Sequence, residues 1–212
     1  MENWLENNWH YLFIIVVQSL FGARTLVQWI LSEKSKKVVS PVIFWQLSLL
    51  ASFLYLIYGW LRVEFVIIMG QLLTYYIYIW NLNILNHWKR ISKALRYIVW
   101  ITPLMIASLL VFSQKGNIER LWMDITFGLL LFGSTGQVIF SFRFIYQWWY
   151  SRKYGKSILP DGFWILSIIG SISLLVYGII RKEPMLIIGH GANFITYFRN
   201  LFLNRKNKKM HV

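Results

Sequence analysis

Cysteine is absent from the 212 residues, which excludes disulfides and thiolate metal sites. Acidic side chains are scarce: eight stand against 22 lysines and arginines, for a formal net charge of +14. Charged residues of either sign make up only 14% of the chain, whereas 57% is hydrophobic and 18% aromatic. A soluble domain of this length has no way to hide so much apolar surface, so the composition predicts a bilayer as the solvent. Twelve tryptophans and twelve tyrosines suit the two membrane interfaces. The opening MENWLENNWH is acidic and lacks a small-residue cleavage site, so no signal peptide is expected. No stretch matches a phosphate-cradling loop or a nucleophile elbow, and no paired carboxylates or metal cluster fall within the apolar runs. A chain that catalyses a reaction alone is therefore the weakest expectation, and no cofactor is expected.

What the chain does have is a long internal repeat. RTLVQWILSEKSKKVVSPVIFW, starting at Arg24, returns as RFIYQWWYSRKYGKSILPDGFW, starting at Arg143. Arg24 matches Arg143, Gln28 matches Gln147, Trp29 matches Trp148, Ser32 matches Ser151, and Pro41, Phe44 and Trp45 match Pro160, Phe163 and Trp164. Each pair is 119 positions apart without a gap, and the match runs on through Ser48/Ser167, Tyr78/Tyr197 and Asn81/Asn200. Roughly two dozen identities over about 65 residues mark one module used twice.

Apolar runs long enough to cross a hydrocarbon core cover residues 11–31, 42–61, 63–82, 96–112, 127–150, 162–180 and 185–203. The predicted fold is thus an all-α polytopic membrane protein with seven transmembrane helices in a three-plus-one-plus-three order. The domains read as a first three-helix repeat at 11–83, a linker with an inverter helix at 84–122, a second repeat at 123–203 and a basic tail at 204–212. An odd-length module reverses direction when copied, and the unmatched fourth helix restores it, so both bundles run parallel. Lys34, Lys36, Lys37, Lys89, Arg90, Lys93, Arg96, Arg152, Lys153, Lys156 and the tail share one side, which predicts the N-terminus outside and the C-terminus inside. That bias reads the basic tail as a cytoplasmic flank attracted to anionic lipid, and nucleic acid is not expected as a partner.

The polar groups set within apolar runs are the candidate site. Arg24 and Arg143 lie about two to three turns inside their spans, with Gln28 and Gln147 one turn on along the same face. An isolated arginine near a helix end snorkels to headgroups. Two arginines at equivalent depth in parallel modules instead suit a phosphate or pyrophosphate, whose oxygens match the guanidinium fork. A second polar line is formed by Gln71, Tyr78 and Asn81, and by His190, Asn193, Tyr197 and Asn200, each holding to one side of its helix. Interhelical hydrogen bonding is the structural alternative for these groups. Arg199 adds a third positive charge near the cytoplasmic mouth, and His190 has no second ligand for a metal within helical reach. Trp29, Trp45, Trp148 and Trp164 read as interface anchors. Pro41 and Pro160 suit a helix's first turn, and Gly128, Gly133, Gly136 and Gly170, with Ser134 and Ser171, suit close helix contact. Glu64 and Glu183 read as surface ion-pair partners of Arg62 and Arg181.

The string from Arg143 to Leu201, with R-F-x-x-Q-W, P-x-x-F-W and Y-x-R-N-L, resembles the lipid-A-disaccharide synthase N-terminal domain family. The first copy is similar but looser: Arg24, Gln28, Trp29, Ser40, Pro41, Phe44, Trp45, Gly70, Gln71 and Tyr78 fit, while Trp80 stands where the second copy has Arg199. The resemblance implies a three-helix unit of the SWEET and PQ-loop class, doubled into a transporter-like fold. It also implies lipid A or related envelope glycolipids as the setting. Only about nine residues follow the second copy, so no glycosyltransferase domain is expected after it. The functional expectation is a transporter or flippase in a bacterial cytoplasmic membrane for a phosphate-bearing glycolipid or a polyprenyl-phosphate-linked sugar. A non-catalytic membrane partner of a separate glycosyltransferase, and a soluble-sugar transporter of the SWEET kind with aromatic stacking in its cavity, stay open beside it.

Overall fold

A computed structural model of the chain describes residues 2–61, 65–113, 127–182 and 184–209. Among the described residues there are no strands and seven α-helices: α1 (Glu2–Ser35), α2 (Val42–Leu61), α3 (Phe65–Ile84), α4 (Lys93–Ser113), α5 (Phe127–Tyr154), α6 (Asp161–Arg181) and α7 (Pro184–Lys209). A 3-10 turn at Trp88–Arg90 precedes α4. Three helical stretches, Leu12–Ser35, Val42–Leu61 and Asp161–Ile180, are long and apolar enough to cross a membrane. Helices α5 and α7 are more polar, since they carry Arg143 and Gln147, and His190, Asn193, Arg199 and Asn200, respectively. The expected Arg62–Glu64 and Arg181–Glu183 pairs involve residues 62–64 and 183, which lie outside the described residues.

The chain divides into two compact units. One is Met1–Arg24 with Trp45–Met123, and the other is Thr25–Phe44 with Asp124–Val212. The end of α1 and the loop after it thus belong with α5, α6 and α7, so the compact units and the sequence repeats are cut at different places.

Local chemistry explains the helix ends. After α1, Lys36 takes the left-handed conformation at φ 51°, its N–H donating to Glu33 O at 3.1 Å while Lys37 N–H donates to Ser32 O at 3.2 Å. The second copy builds the same stop after α5 with Gly155 at φ 62°, Gly155 N–H to Arg152 O at 3.4 Å and Lys156 N–H to Ser151 O at 3.2 Å. This is the Schellman arrangement, which satisfies carbonyls left open at a helix end. Glycine meets it without Cβ strain; lysine does not. Pro160 sits at the N-cap of α6 with an extended ψ of 167°, one position before the first turn where a helix-starting proline is expected. Its carbonyl already accepts Phe163 N–H at 3.0 Å, as Pro41 O accepts Phe44 N–H at 3.1 Å.

Packing corrects one expectation about tryptophan. Trp45 and Trp164 are 0% and 1% exposed, so they are core rather than interface anchors. Each lies against a tyrosine of its own unit, Trp45 6.0 Å from Tyr78 and Trp164 6.2 Å from Tyr197 between ring centroids. In the second unit small residues bring α6 onto α5. A Cβ on Gly170 would stand 2.9 Å from the Phe140 backbone, and one on Gly136 would stand 2.8 Å from Ser173 Cβ.

Candidate functional site

In the first unit the site begins with Arg24, about two-thirds of the way along α1. Its Nη1 donates to Ser48 Oγ on α2 at 2.9 Å and to Tyr78 Oη on α3 at 3.3 Å. The guanidinium carbon lies 4.5 Å from the Phe21 ring centroid and 5.8 Å from that of Tyr78. One helix turn separates Phe21 from Arg24, which is why the ring can cover the charge. Further along α3, Gln71 Oε1 accepts a hydrogen bond from Ser52 Oγ at 2.6 Å, and Asn81 Nδ2 donates to Ile77 O at 2.9 Å.

The second unit repeats this geometry. Arg143 Nη1 donates to Ser167 Oγ on α6 at 3.1 Å and to Tyr197 Oη on α7 at 3.3 Å. Its guanidinium carbon lies 3.5 Å from the Phe140 centroid, 4.8 Å from Phe144, 5.4 Å from Phe163 and 5.6 Å from Tyr197. Arg24 and Arg143 are 6% and 2% exposed, so neither side chain reaches out to surrounding lipid or solvent as a snorkelling arginine does. An arginine at a helix centre in a membrane costs about 2.5–3.5 kcal/mol on insertion scales. Hydrogen bonds to a charged group contribute about 1.5–3 kcal/mol each, and a ring over a cation contributes about 0.5–2 kcal/mol, so this cradle is sufficient to hold the charge in place.

Four residues after each arginine in the sequence comes a glutamine, and Gln28 and Gln147 both belong to the second unit. Gln28 Nε2 donates to Ser32 Oγ at 2.8 Å and to Val39 O at 3.2 Å. Gln147 Nε2 donates to Ser151 Oγ at 2.8 Å and to Ile158 O at 3.1 Å. The two serines receive the Val39 and Ile158 N–H groups at 3.1 and 3.0 Å, which pins each connecting loop back onto its helix. Gln28 also forms a reciprocal amide pair with Asn200: Nε2 to Oδ1 at 3.0 Å and Asn200 Nδ2 to Gln28 Oε1 at 3.1 Å. A glutamine of the first copy thereby meets an asparagine of the second, and both are fully buried.

The remaining candidates separate by environment. Ser171 Oγ lies 3.5 Å from His190 Nδ1 and donates to His190 O at 3.1 Å, and the imidazole meets Phe140 edge to face at 4.9 Å. Asn193 Nδ2 bonds back to Gly189 O one turn earlier at 2.6 Å, which fits a structural role. Arg199 is exposed and forms a two-pronged ion pair with Glu33, Nε to Oε1 at 2.5 Å and Nη2 to Oε2 at 3.0 Å. It was expected as a third positive charge near the mouth; a carboxylate on α1 already neutralises it.

Sequence reading by charge and amide content passes over the serines. Ser48 and Ser167 hold the arginines, Ser32 and Ser151 hold the glutamines, and Ser52 and Ser171 hold Gln71 and His190. The signal that finds them is positional, since all six are serines repeated at the 119-residue spacing.

Comparison with known proteins is consistent with this duplicated architecture. The Lipid A Biosynthesis N-terminal domain family matches residues 15–83 and again residues 132–202. The chain is similar to a protein of Chlamydia felis named lipid-A-disaccharide synthase, 28% identical over 207 residues that cover 92% of this chain and 33% of the relative. Its likeness to the protein of the same name from Chlamydia pneumoniae is 27% over 200 residues, covering 89% and 32%. For Chlamydia caviae the figures are 26% over 208 residues, 92% and 33%. The chain spans about a third of the length of the curated relatives it matches. No solved structure matches it. The two matched stretches, each holding one arginine cradle, account for most of the sequence, and the chain belongs to the Lipid A Biosynthesis N-terminal domain family.

Proposed function

We propose that this chain handles a phosphate-bearing glycolipid of lipid A assembly in a bacterial cytoplasmic membrane, moving it between leaflets rather than altering it chemically. The fold we envisage is seven spans with the N-terminus outside and the C-terminus inside, two parallel three-helix bundles joined by α4 in a SWEET-like order. Arg24 and Arg143 serve as phosphate ligands, because a planar guanidinium engages two phosphate oxygens at once. Gln28, Gln147, Gln71, Tyr78, Asn81, His190, Tyr197 and Asn200 supply donors and acceptors for sugar hydroxyls. The observation that carries this reading is the twofold Arg–Ser–Tyr cradle, which keeps two cations inside the protein at the same place in each copy. Packing alone does not require two arginines there, because hydrophobic residues of similar volume fill such positions at lower cost.

The test is translocation. Reconstituted into liposomes, the purified chain is expected to move a fluorescent lipid bearing a phosphorylated disaccharide to the opposite leaflet faster than protein-free liposomes do. An equal rate in both removes the transport reading.

A second reading rests on a different observation. The relatives are named for disaccharide synthesis and are about three times as long as this chain. The stretch shared with them is the one that carries the duplicated module here, which suits a membrane unit that presents the lipid acceptor to a glycosyltransferase. Copurification of such an enzyme, with no translocation by the chain alone, favours that role.

A further inference from the structure

Helix α4 has no counterpart in the repeat, and it builds a site of its own with α3 and the 3-10 turn. Tyr76 Oη on α3 donates to Trp100 O on α4 at 3.1 Å, and the two rings meet edge to face at 5.9 Å, so one wall of the junction is fixed. Beside that wall runs an open groove of about 720 Å3, lined chiefly by Trp88, Lys93, Arg96, Tyr97, Trp100 and Ile101. Its volume lies within the range of about 300–1,000 Å3 typical of ligand pockets.

The groove is chemically divided along its length. At the start of α4 stand Lys93 and Arg96, with Lys89 and Arg90 exposed in the turn before them. No aspartate or glutamate occurs anywhere from residue 65 to residue 113, so this cluster has no acidic neighbour along its own segment. The Arg96 Nε is shielded from solvent and has no hydrogen-bond acceptor among the described residues. Beyond the cations come the rings, with Tyr97 75% and Trp100 51% exposed. The same face continues through Ile101, Met105, Leu109 and Phe112, all exposed and about one turn apart. Cations first, indole and phenol next and aliphatic side chains last is the order in which a bilayer presents phosphate, glycerol and acyl chain. A protein partner would favour a different layout, with an apolar centre enclosed by a polar rim.

We infer that this groove binds an anionic bilayer phospholipid, with its phosphate between Lys93 and Arg96, its glycerol region against Trp88 and Trp100, and an acyl chain along Ile101 and Met105. The site does not rest on the role given to Arg24 and Arg143. It gives α4 a task besides joining the two copies: seating a resident lipid that braces α4 on α3.

The experiment is native mass spectrometry of the full purified chain in neutral detergent, titrated with phosphatidylglycerol or with phosphatidylcholine of the same acyl chains. The chain is expected to retain phosphatidylglycerol roughly thirtyfold better, the scale of two basic side chains acting on one anionic headgroup. Lys93→Gln with Arg96→Gln should lower that retention to the phosphatidylcholine level, whereas Lys93→Arg with Arg96→Lys, which keeps both charges, should preserve it. Equal retention of the two lipids, unchanged retention in the glutamine variant, or displacement of phosphatidylglycerol by a copurifying protein would each overturn the assignment.

Discussion

The two copies hold their arginines with the same serine and the same tyrosine, to within 0.2 Å at the serine and with equal distances at the tyrosine, yet they surround them differently. Arg143 lies under Phe140 at 3.5 Å with Phe144 at 4.8 Å, while Arg24 lies 4.5 Å from Phe21 and the position matching Phe144 is Thr25. Gln71 in the first copy corresponds to His190 in the second. At the exposed end, Glu33 and Arg199 form an ion pair, whereas their counterparts Arg152 and Trp80 lack the opposite charges to form one. The polar frame repeats and the packing around it does not. Duplication has kept the groups that position a cation and has let the groups that shape its surroundings drift, so one copy offers the tighter cradle.

Several substitutions sharpen or break this comparison. The largest effect is expected at the buried indoles. Trp45→Ala and Trp164→Ala should each cost about 3–5 kcal/mol in reversible unfolding in detergent micelles, because each empties a core position. Similar losses support equal cores, and a small loss at either site returns that tryptophan to an interface role. Next comes the position where the copies differ in closeness, Gly170 in the second and Ala51 in the first. Gly170→Ala drives a Cβ into the Phe140 backbone at 2.9 Å, an overpacking expected to cost about 1–3 kcal/mol. Ala51→Gly should cost only about 0.5–1 kcal/mol, the usual helix penalty. The smallest change is at the helix stops. Lys36→Gly should raise stability by about 1 kcal/mol and Gly155→Lys should lower it by a similar amount, since both positions are left-handed. Opposite signs in the unfolding midpoints check that pair.

How much of this is legible in the sequence depends on what the 119-residue spacing carries. The arginines, glutamines and asparagines stand out because a polar group in an apolar run needs a reason, and two copies give the reason twice. The six serines are visible by the same spacing, but a serine is ordinary in a helix until its partner is known. Trp45 and Trp164 mislead because interface preference is a property of the residue type, whereas their burial comes from packing against Tyr78 and Tyr197. The Gln28–Asn200 pair is not legible at all. Identity between copies says which residues are equivalent and nothing about whether residues 25–44 pack within their own copy or with the other, and here they join the second unit.

The central proposal is that the buried guanidiniums of Arg24 and Arg143 each act as a phosphate ligand. The direct measurement is retention of a phosphate-bearing disaccharide lipid by the purified chain, compared between the native sequence and the Arg24→Gln, Arg143→Gln double variant, with the dephosphorylated lipid as control. The account predicts that the native chain holds the phosphorylated lipid and that the double variant holds it no better than the dephosphorylated one. Equal retention of the phosphorylated lipid by both proteins would contradict it.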